Sequence, residues 1–176
     1  MDNCFVIAAI RGQEMLLKAC QSQAGIIFDL EPNIETVSDS VELCRKYEKK
    51  LFLHMDLAEG IGKDRFGLKY VKNKGVYGIL STRTNMIKCA KELGLKTVQR
   101  VFILDSQSIE TAESVLKTSP DMVEIMPGII PVAISELKNK IDIPIIAGGL
   151  IRTKEDIDMI ARAGAIAVST SDPGLW

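Results

Sequence analysis

Residues 145–151, Ile145-Ile146-Ala147-Gly148-Gly149-Leu150-Ile151, are followed one helix length later by Ala165-Ile166-Ala167-Val168-Ser169-Thr170-Ser171. Each stretch is an apolar run that breaks into small or hydroxylated residues, the form of a buried strand entering a loop. Between them, Thr153-Lys154-Glu155-Asp156 sets a hydroxyl and two acids at the start of an amphipathic segment, which suits helix capping and the helix dipole. Strand, helix and strand in that order predict a parallel unit. Gly148 and Gly149 carry no side chain to block a ligand, so backbone N–H groups there are free to approach a phosphate. Gly148 and Gly149, with Ser169, Thr170 and Ser171, therefore read as a two-part phosphate cradle. A tight strand-to-helix turn also explains the glycine pair taken alone. The second segment, at the right interval, favours the cradle.

Working outward, six more apolar runs precede these two. They are Phe5–Ile10, Gly25–Asp29, Leu51–Met55, Val76–Leu80, Thr97–Ile103 and Met122–Ile125, and the last pair refines to Ile143–Ala147 and Ala165–Ser169. Most are apolar on both faces, as strands are when they pack inward on a barrel core and outward on helices. Helical patterns separate them, for instance over Ile34–Tyr47 and Ile109–Leu116, with Asn33 and Ser108 as N-caps and Gly94 and Gly164 as helix terminators. Eight such units in 176 residues predict a single domain, a compact TIM-like (β/α)8 barrel with a repeat of about 22 residues. A doubly wound open sheet is the competing architecture, but it carries its glycine-rich loop after the first strand, where this chain has Ala9-Ile10-Arg11-Gly12.

Function in such a barrel sits where strands end and loops begin. Those positions hold Arg11, Asp29, His54, Asp56, Glu59, Ser81, Thr82, Arg83, Arg100, Asp105, Glu124 with Pro127 and Gly128, Gly148, Gly149 and Ser169–Ser171. His54 and Asp56, two apart on an extended strand, are predicted to face one side and hold a small hydroxylated ligand between them. Arg11 and the other rim arginines either bind the ligand or pair with rim carboxylates. Asp56, Glu59, Asp105 and Glu124 alternatively suit an acid/base pair or a hard-metal site. No lysine ends any of the eight runs, which argues against Schiff-base chemistry.

The bulk composition narrows the partners. The only histidine is His54, and Cys4, Cys20, Cys44 and Cys89 are scattered without a C-x-x-C pair, so no zinc site is expected. No apolar run is long enough to span a bilayer, and Met1-Asp2-Asn3-Cys4 lacks the basic start of a secretory signal; a cytoplasmic protein is expected. Net charge is −1, yet Arg45 to Arg100 holds 14 Lys and Arg against 5 Asp and Glu, a balance of +9, and the remainder balances at −10. That asymmetry points to an anionic partner, although solvated helix faces account for it equally.

Together these segments resemble the glycerol-3-phosphate-responsive antiterminators of bacterial glycerol operons. The likeness rests on Ala9-Ile10-Arg11, Leu53-His54-Met55-Asp56-Leu57 with Glu59-Gly60, Gly78–Arg83, Val98–Asp105, Glu124–Gly128, Ile146–Thr153 and Val168–Ser171 closing on Leu175-Trp176, nearly the whole chain. One departure is Ala8, where the family carries proline. The resemblance implies a regulator, not an enzyme, that senses glycerol 3-phosphate and acts on a leader mRNA to prevent termination and stabilise the message. The expected effector site comprises Gly148, Gly149, Ser169, Thr170, Ser171, His54, Asp56, Glu124 and Arg11. The expected RNA contacts are Lys69, Lys72, Lys74, Lys88, Lys91 and Arg65, made mainly to phosphate, since aromatics are only 5% of the chain. No cofactor, metal or membrane partner is expected, and a homo-oligomer stays open. The loop Asp56–Phe66, with Gly60, Gly62, Lys63 and Arg65, is expected to be ordered by the effector and to link it to RNA. The runner-up is a lyase, isomerase or prenyl-type transferase acting on a glycerol-phosphate-like compound.

Overall fold

Side-chain alternation along the apolar runs fixes which residues point into the barrel and which meet the helices. The computed structural model describes residues 4–176, and in it eight parallel strands pair in chain order and close, the eighth on the first. They are β1 (Phe5–Ile10), β2 (Ile26–Asp29), β3 (Lys50–His54), β4 (Gly78–Ser81), β5 (Lys96–Phe102), β6 (Met122–Met126), β7 (Ile145–Gly148) and β8 (Ala167–Thr170). The helices between them are α1 (Glu14–Gln21), α2 (Val37–Lys46), α3 (Arg65–Lys74), α4 (Thr84–Glu92), α5 (Ser106–Leu116), α6 (Pro131–Lys138) and α7 (Lys154–Arg162). The predicted (β/α)8 barrel is correct, with seven helices rather than eight among the described residues.

Inside the barrel Ile7, Phe28, Phe52, Leu80, Val98, Ile146 and Ala167 form a closed apolar plug. Phe28 and Phe52 meet edge to face at 5.5 Å. Burying a side chain of that size stabilises the fold by roughly 1.5–3 kcal/mol, and the plug floors the cleft at the C-terminal ends of the strands. Two further apolar clusters lie between strands and helices, one under α1–α4 and one under α5–α7. Among the described residues, no helix is long and apolar enough to cross a membrane.

Local chemistry moves several predicted boundaries. Thr153 caps α7 as expected, in a capping box with Asp156. Ser108 does not cap its helix: Asp105 is the cap, and Ser108 returns the second bond of the box from three residues on. The helix predicted from Ile34 begins at Val37, because Asn33 uses its side chain on the Glu35 N–H in a preceding turn. Strand β3 stops at His54, and Met55–Leu57 turns into a single 3-10 turn.

Candidate functional site

On β3, β5, β6 and β8 the inward alternation continues past the apolar plug into polar residues. Phe52 is followed by His54, Val98 by Arg100, Met122 by Glu124, and Ala167 by Ser169 and Ser171. Strand register sets Arg100 beside Glu124 and Gly148 beside Ser169. A buried network results. Arg100 Nε donates to Glu124 Oε2 at 2.6 Å, Ser169 Oγ donates to Glu124 Oε1 at 2.5 Å, and Arg100 NH1 lies 3.5 Å from His54 Nε2. Glu124 is 1% exposed and has a partner on each oxygen, which is how a buried carboxylate avoids an uncompensated desolvation cost.

His54 is held uncharged at neutral pH. Burial, and next the Arg100 guanidinium, push it down to about 4, against the opposing pull of Asp56. Its Nδ1 is buried without a hydrogen-bond partner among the described residues. Asp56 reaches His54 from the 3-10 turn rather than from an extended strand, and the two stand 3.8 Å apart. That spacing leaves no room for a ligand between them, contrary to the sequence expectation. Asp56 instead accepts from Ser81 Oγ, Thr82 N and Thr82 Oγ1 at 2.6–2.7 Å, with Arg83 Nε at 3.8 Å. Although burial opposes it, these bonds hold its carboxyl below the usual range.

Above the network opens a cleft of about 520 Å³. Arg11, Glu124, Gly149, Ser169, Thr170 and Ser171 of the predicted site line it. Gly148 lies beneath, because its oxygen accepts from Gly128 N at 2.5 Å and a Cβ on it would meet Glu124 Oε1 and Ser169 Oγ. The three hydroxyls divide their work by alternation. Ser169 turns inward to Glu124, Thr170 turns outward to the Ile151 carbonyl at 3.1 Å, and Ser171 faces the cleft exposed. Thr170 thereby ties the β7 and β8 loops, and Trp176 Nε1 anchors the same turn by donating to the Thr170 oxygen at 2.8 Å. Gly149 and Leu150 both have positive φ, +84° and +63°. For leucine this conformation costs about 1–2 kcal/mol, and such strain gathers where a loop is shaped for a ligand.

The cleft also holds Arg100 and Arg152. Arg100 stood between ligand binding and pairing with a rim carboxylate, and it pairs with Glu124; Arg152 follows the Gly-Gly loop directly and was not expected in the binding set. With Arg11 they bring three guanidinium groups to the cleft, but Arg100 is paired with Glu124 and Arg11 with Glu31 at its edge, as a rim arginine pairing with a rim carboxylate would be; the other acid of the cleft, Asp172, accepts from Gly174 N. Among the described residues Arg152 is the cleft arginine without an ion pair, and it is the one open to an anionic ligand. The alternative carboxylate cluster does not assemble. Asp105 caps α5, Glu59 accepts from Asn33 Nδ2, and no group of three or more metal-ligating side chains forms among the described residues.

The cations expected to meet RNA fall on two neighbouring helices, Arg65, Lys69, Lys72 and Lys74 on α3 and Lys88 and Lys91 on α4. Three of them also make bonds within the protein. Arg65 pairs with Glu92 at 2.7 Å, Lys72 donates to the Leu93 carbonyl, and Lys91 donates to the Ser119 carbonyl.

The fold and cleft define a (β/α)8 barrel with an arginine-bearing cleft at the C-terminal ends of its strands, whose lining among the described residues includes no lysine. The family model for the glycerol-3-phosphate responsive antiterminators matches residues 6–176, and the chain belongs to that family. It is 35% identical over 173 residues to the uncharacterized protein YgcP of Escherichia coli K12, covering 97% of this chain and 91% of that one. It is similar to the crystal structure of the glycerol uptake operon antiterminator regulatory protein of Listeria monocytogenes, at 34% identity and a TM-score of 0.92, over 99% of this chain and 95% of that one. A glycerol uptake operon antiterminator-related protein of Thermotoga maritima is 26% identical with a TM-score of 0.87, over 98% of both chains.

Proposed function

We propose that the chain is a cytoplasmic regulator that binds glycerol 3-phosphate in this cleft and, when loaded, engages a leader mRNA of a glycerol operon to prevent termination and stabilise the message. The observation that supports the reading is the cleft itself, where Arg152 stands without an ion pair among the described residues beside the strained Gly149-Leu150 loop, with Arg11 and Arg100 held on Glu31 and Glu124. In this reading the phosphate lies on Gly149, Ser171 and Arg152, and the glycerol hydroxyls reach toward Arg100 and Arg11. Ser169 and Glu124 orient Arg100, Thr170 fixes the two loops, and His54 and Asp56 back the arginine from behind. The effector orders the 56–66 loop, whose residues adjoin the cations of α3 and α4. Turnover is not part of the reading, since both oxygens of Glu124 are occupied and a proton-transfer role would need one released.

Titration calorimetry with glycerol 3-phosphate, glycerol and inorganic phosphate tests the site, followed by gel-shift of labelled leader RNA with each compound. Tight binding of glycerol 3-phosphate alone, with RNA retention that depends on it, is the expected result. RNA retention insensitive to all three compounds would sink the regulatory reading, and consumption of glycerol 3-phosphate would replace it with an enzymatic one.

A further inference from the structure

Helix α3 exposes an aromatic side chain that the fold does not need. Phe66, the second residue of α3, is 78% exposed, although phenylalanine is among the residue types most often buried. Tyr70 lies one turn on, four residues away and on the same face, half-buried, with its hydroxyl 3.4 Å from the Ile34 carbonyl. The ring of Phe66 pairs with no other aromatic ring among the described residues. Each ring has its own lysine, Lys69 Nζ at 5.9 Å from the Phe66 centroid and Lys74 Nζ at 5.4 Å from that of Tyr70. The start of the helix is fixed by Asp64, whose carboxylate accepts from the Phe66 and Gly67 N–H groups. Residues 63–74 carry five cations and that one acid.

A second area of exposed apolar side chains provides the comparison. Leu104 and Val132, on the far side of the barrel, adjoin Asp105 and Glu136. Apolar side chains beside acids repel a polyanion, whereas aromatic rings interleaved with lysines attract one and offer it flat faces. Charge therefore selects the α3 face and its occupant.

We infer that the exposed face of α3 is a stacking platform for single-stranded RNA, with unpaired bases laid on Phe66 and Tyr70 and the flanking phosphates taken by Lys69 and Lys74. This rests on the RNA reading of the preceding section and goes beyond it, because it requires unpaired bases where a purely electrostatic surface requires only phosphates. The lysine heads lie over the rings by weak contacts at an exposed site, so they swing to phosphate when a base arrives. Sequence-tolerant binding follows, since every base has a π-face.

The test uses the full chain with saturating glycerol 3-phosphate and a short single-stranded leader RNA carrying 2-aminopurine at an unpaired position, reading both affinity and fluorescence. Phe66→Ala weakens RNA binding by about 5- to 150-fold and removes the stacking quench, Phe66→Trp restores both, and Phe66→Leu restores neither. Glycerol 3-phosphate affinity stays at the wild-type value in all three, which reports that the barrel is intact. Wild-type affinity and quench in Phe66→Ala would overturn the platform while leaving an electrostatic RNA surface standing. Full rescue by Phe66→Leu, or a change of oligomeric mass on Phe66→Ala, would assign the face to apolar packing against a protein. Failure of the wild-type protein to bind the RNA at all would remove the RNA reading and the platform together.

Discussion

His54 at the end of β3 and Asp29 at the end of β2 are both buried, and burial moves their protonation in directions that oppose each other in stability. His54 is pushed from its ordinary 6.5 down to about 4 by burial and by Arg100. Asp29 is pushed by burial from 3.8 up to about 6, against the Glu31 N–H that bonds its carboxylate. From about pH 6.5 down to 4 the unfolded chain takes a proton at position 54 that the folded chain refuses. The stability supplied by neutral His54 is therefore complete above pH 6.5 and lost as pH falls. From about pH 6 down to 3.8 the folded chain takes a proton at position 29 that the unfolded chain refuses. That contribution is complete below pH 3.8 and lost as pH rises through 6. At 1.36 kcal/mol per pH unit each effect amounts to roughly 3 kcal/mol across its window. The wild-type protein should accordingly hold nearly level stability between pH 6 and 4. Asp56, Asp121 and Asp156, all held below the usual carboxylate range, weaken the fold only at lower pH. In urea denaturation at fixed ionic strength, Asp29→Asn should lose about 3 kcal/mol on acidification from pH 6.5 to 4. His54→Gln should gain a similar amount over the same range. Slopes of the same sign in the two variants, or slopes unchanged from wild type, would refute the reasoning.

Gly148→Ala drives a methyl to 2.6 Å from Glu124 Oε1 and 2.7 Å from Ser169 Oγ, so over-packing and loss of a charge-assisted bond together cost about 3–6 kcal/mol. Thermal melting should fall by roughly 6–20 °C with loss of glycerol 3-phosphate binding; Gly149→Ala, strained at φ +84° but facing only the flexible end of Met126, should fall by a few degrees. Charge reversal at Lys69 and Lys72 should weaken leader RNA binding and flatten its salt dependence while effector affinity measured by calorimetry is unchanged; equal loss of both would mean a damaged fold. Amide exchange across residues 56–66 should slow when glycerol 3-phosphate is added, and an unchanged rate would remove that loop from the switch.

The barrel was legible because every strand announces itself as an apolar run and every helix as an amphipathic one, and the eight runs locate all eight strands to within two or three residues. That Gly149 and Ser169–Ser171 would line one cleft was legible because the two segments are local in sequence and recur at one helix length. What could not be read was register. Arg100 stood out as a polar residue in an apolar run, but its pairing with Glu124 depends on β5 and β6 lying residue beside residue. The approach of Asp56 to His54 was expected from strand alternation, yet it arises from the 3-10 turn that ends the strand one residue after His54. Ser108 was expected as the N-cap and Asp105 holds that place, because both residue types accept at a helix start and only backbone conformation chooses between them.

These pairings also give the proposed switch a physical route. A phosphate ligand can shift the protein only through groups it contacts differently in two states. Arg100 lines the cleft and also lies 3.5 Å from His54, and His54 stands 3.8 Å from Asp56, whose oxygens take three donors from Ser81 and Thr82 just before α4. Drawing the Arg100 guanidinium upward toward an anion weakens its hold on Glu124 and relieves the charge beside His54. The unpartnered Nδ1 and the lowered affinity of His54 for a proton both record how tightly that ring is confined. A displacement of Asp56 would release or reset Thr82 and Arg83, which lead into α4, and would move the turn that begins the 56–66 segment. Coupling of ~1–3 kcal/mol is typical of such linkage, about the strength of one charge-assisted hydrogen bond. In the proposed switch, one such bond exchanged at Arg100 would supply coupling of that size.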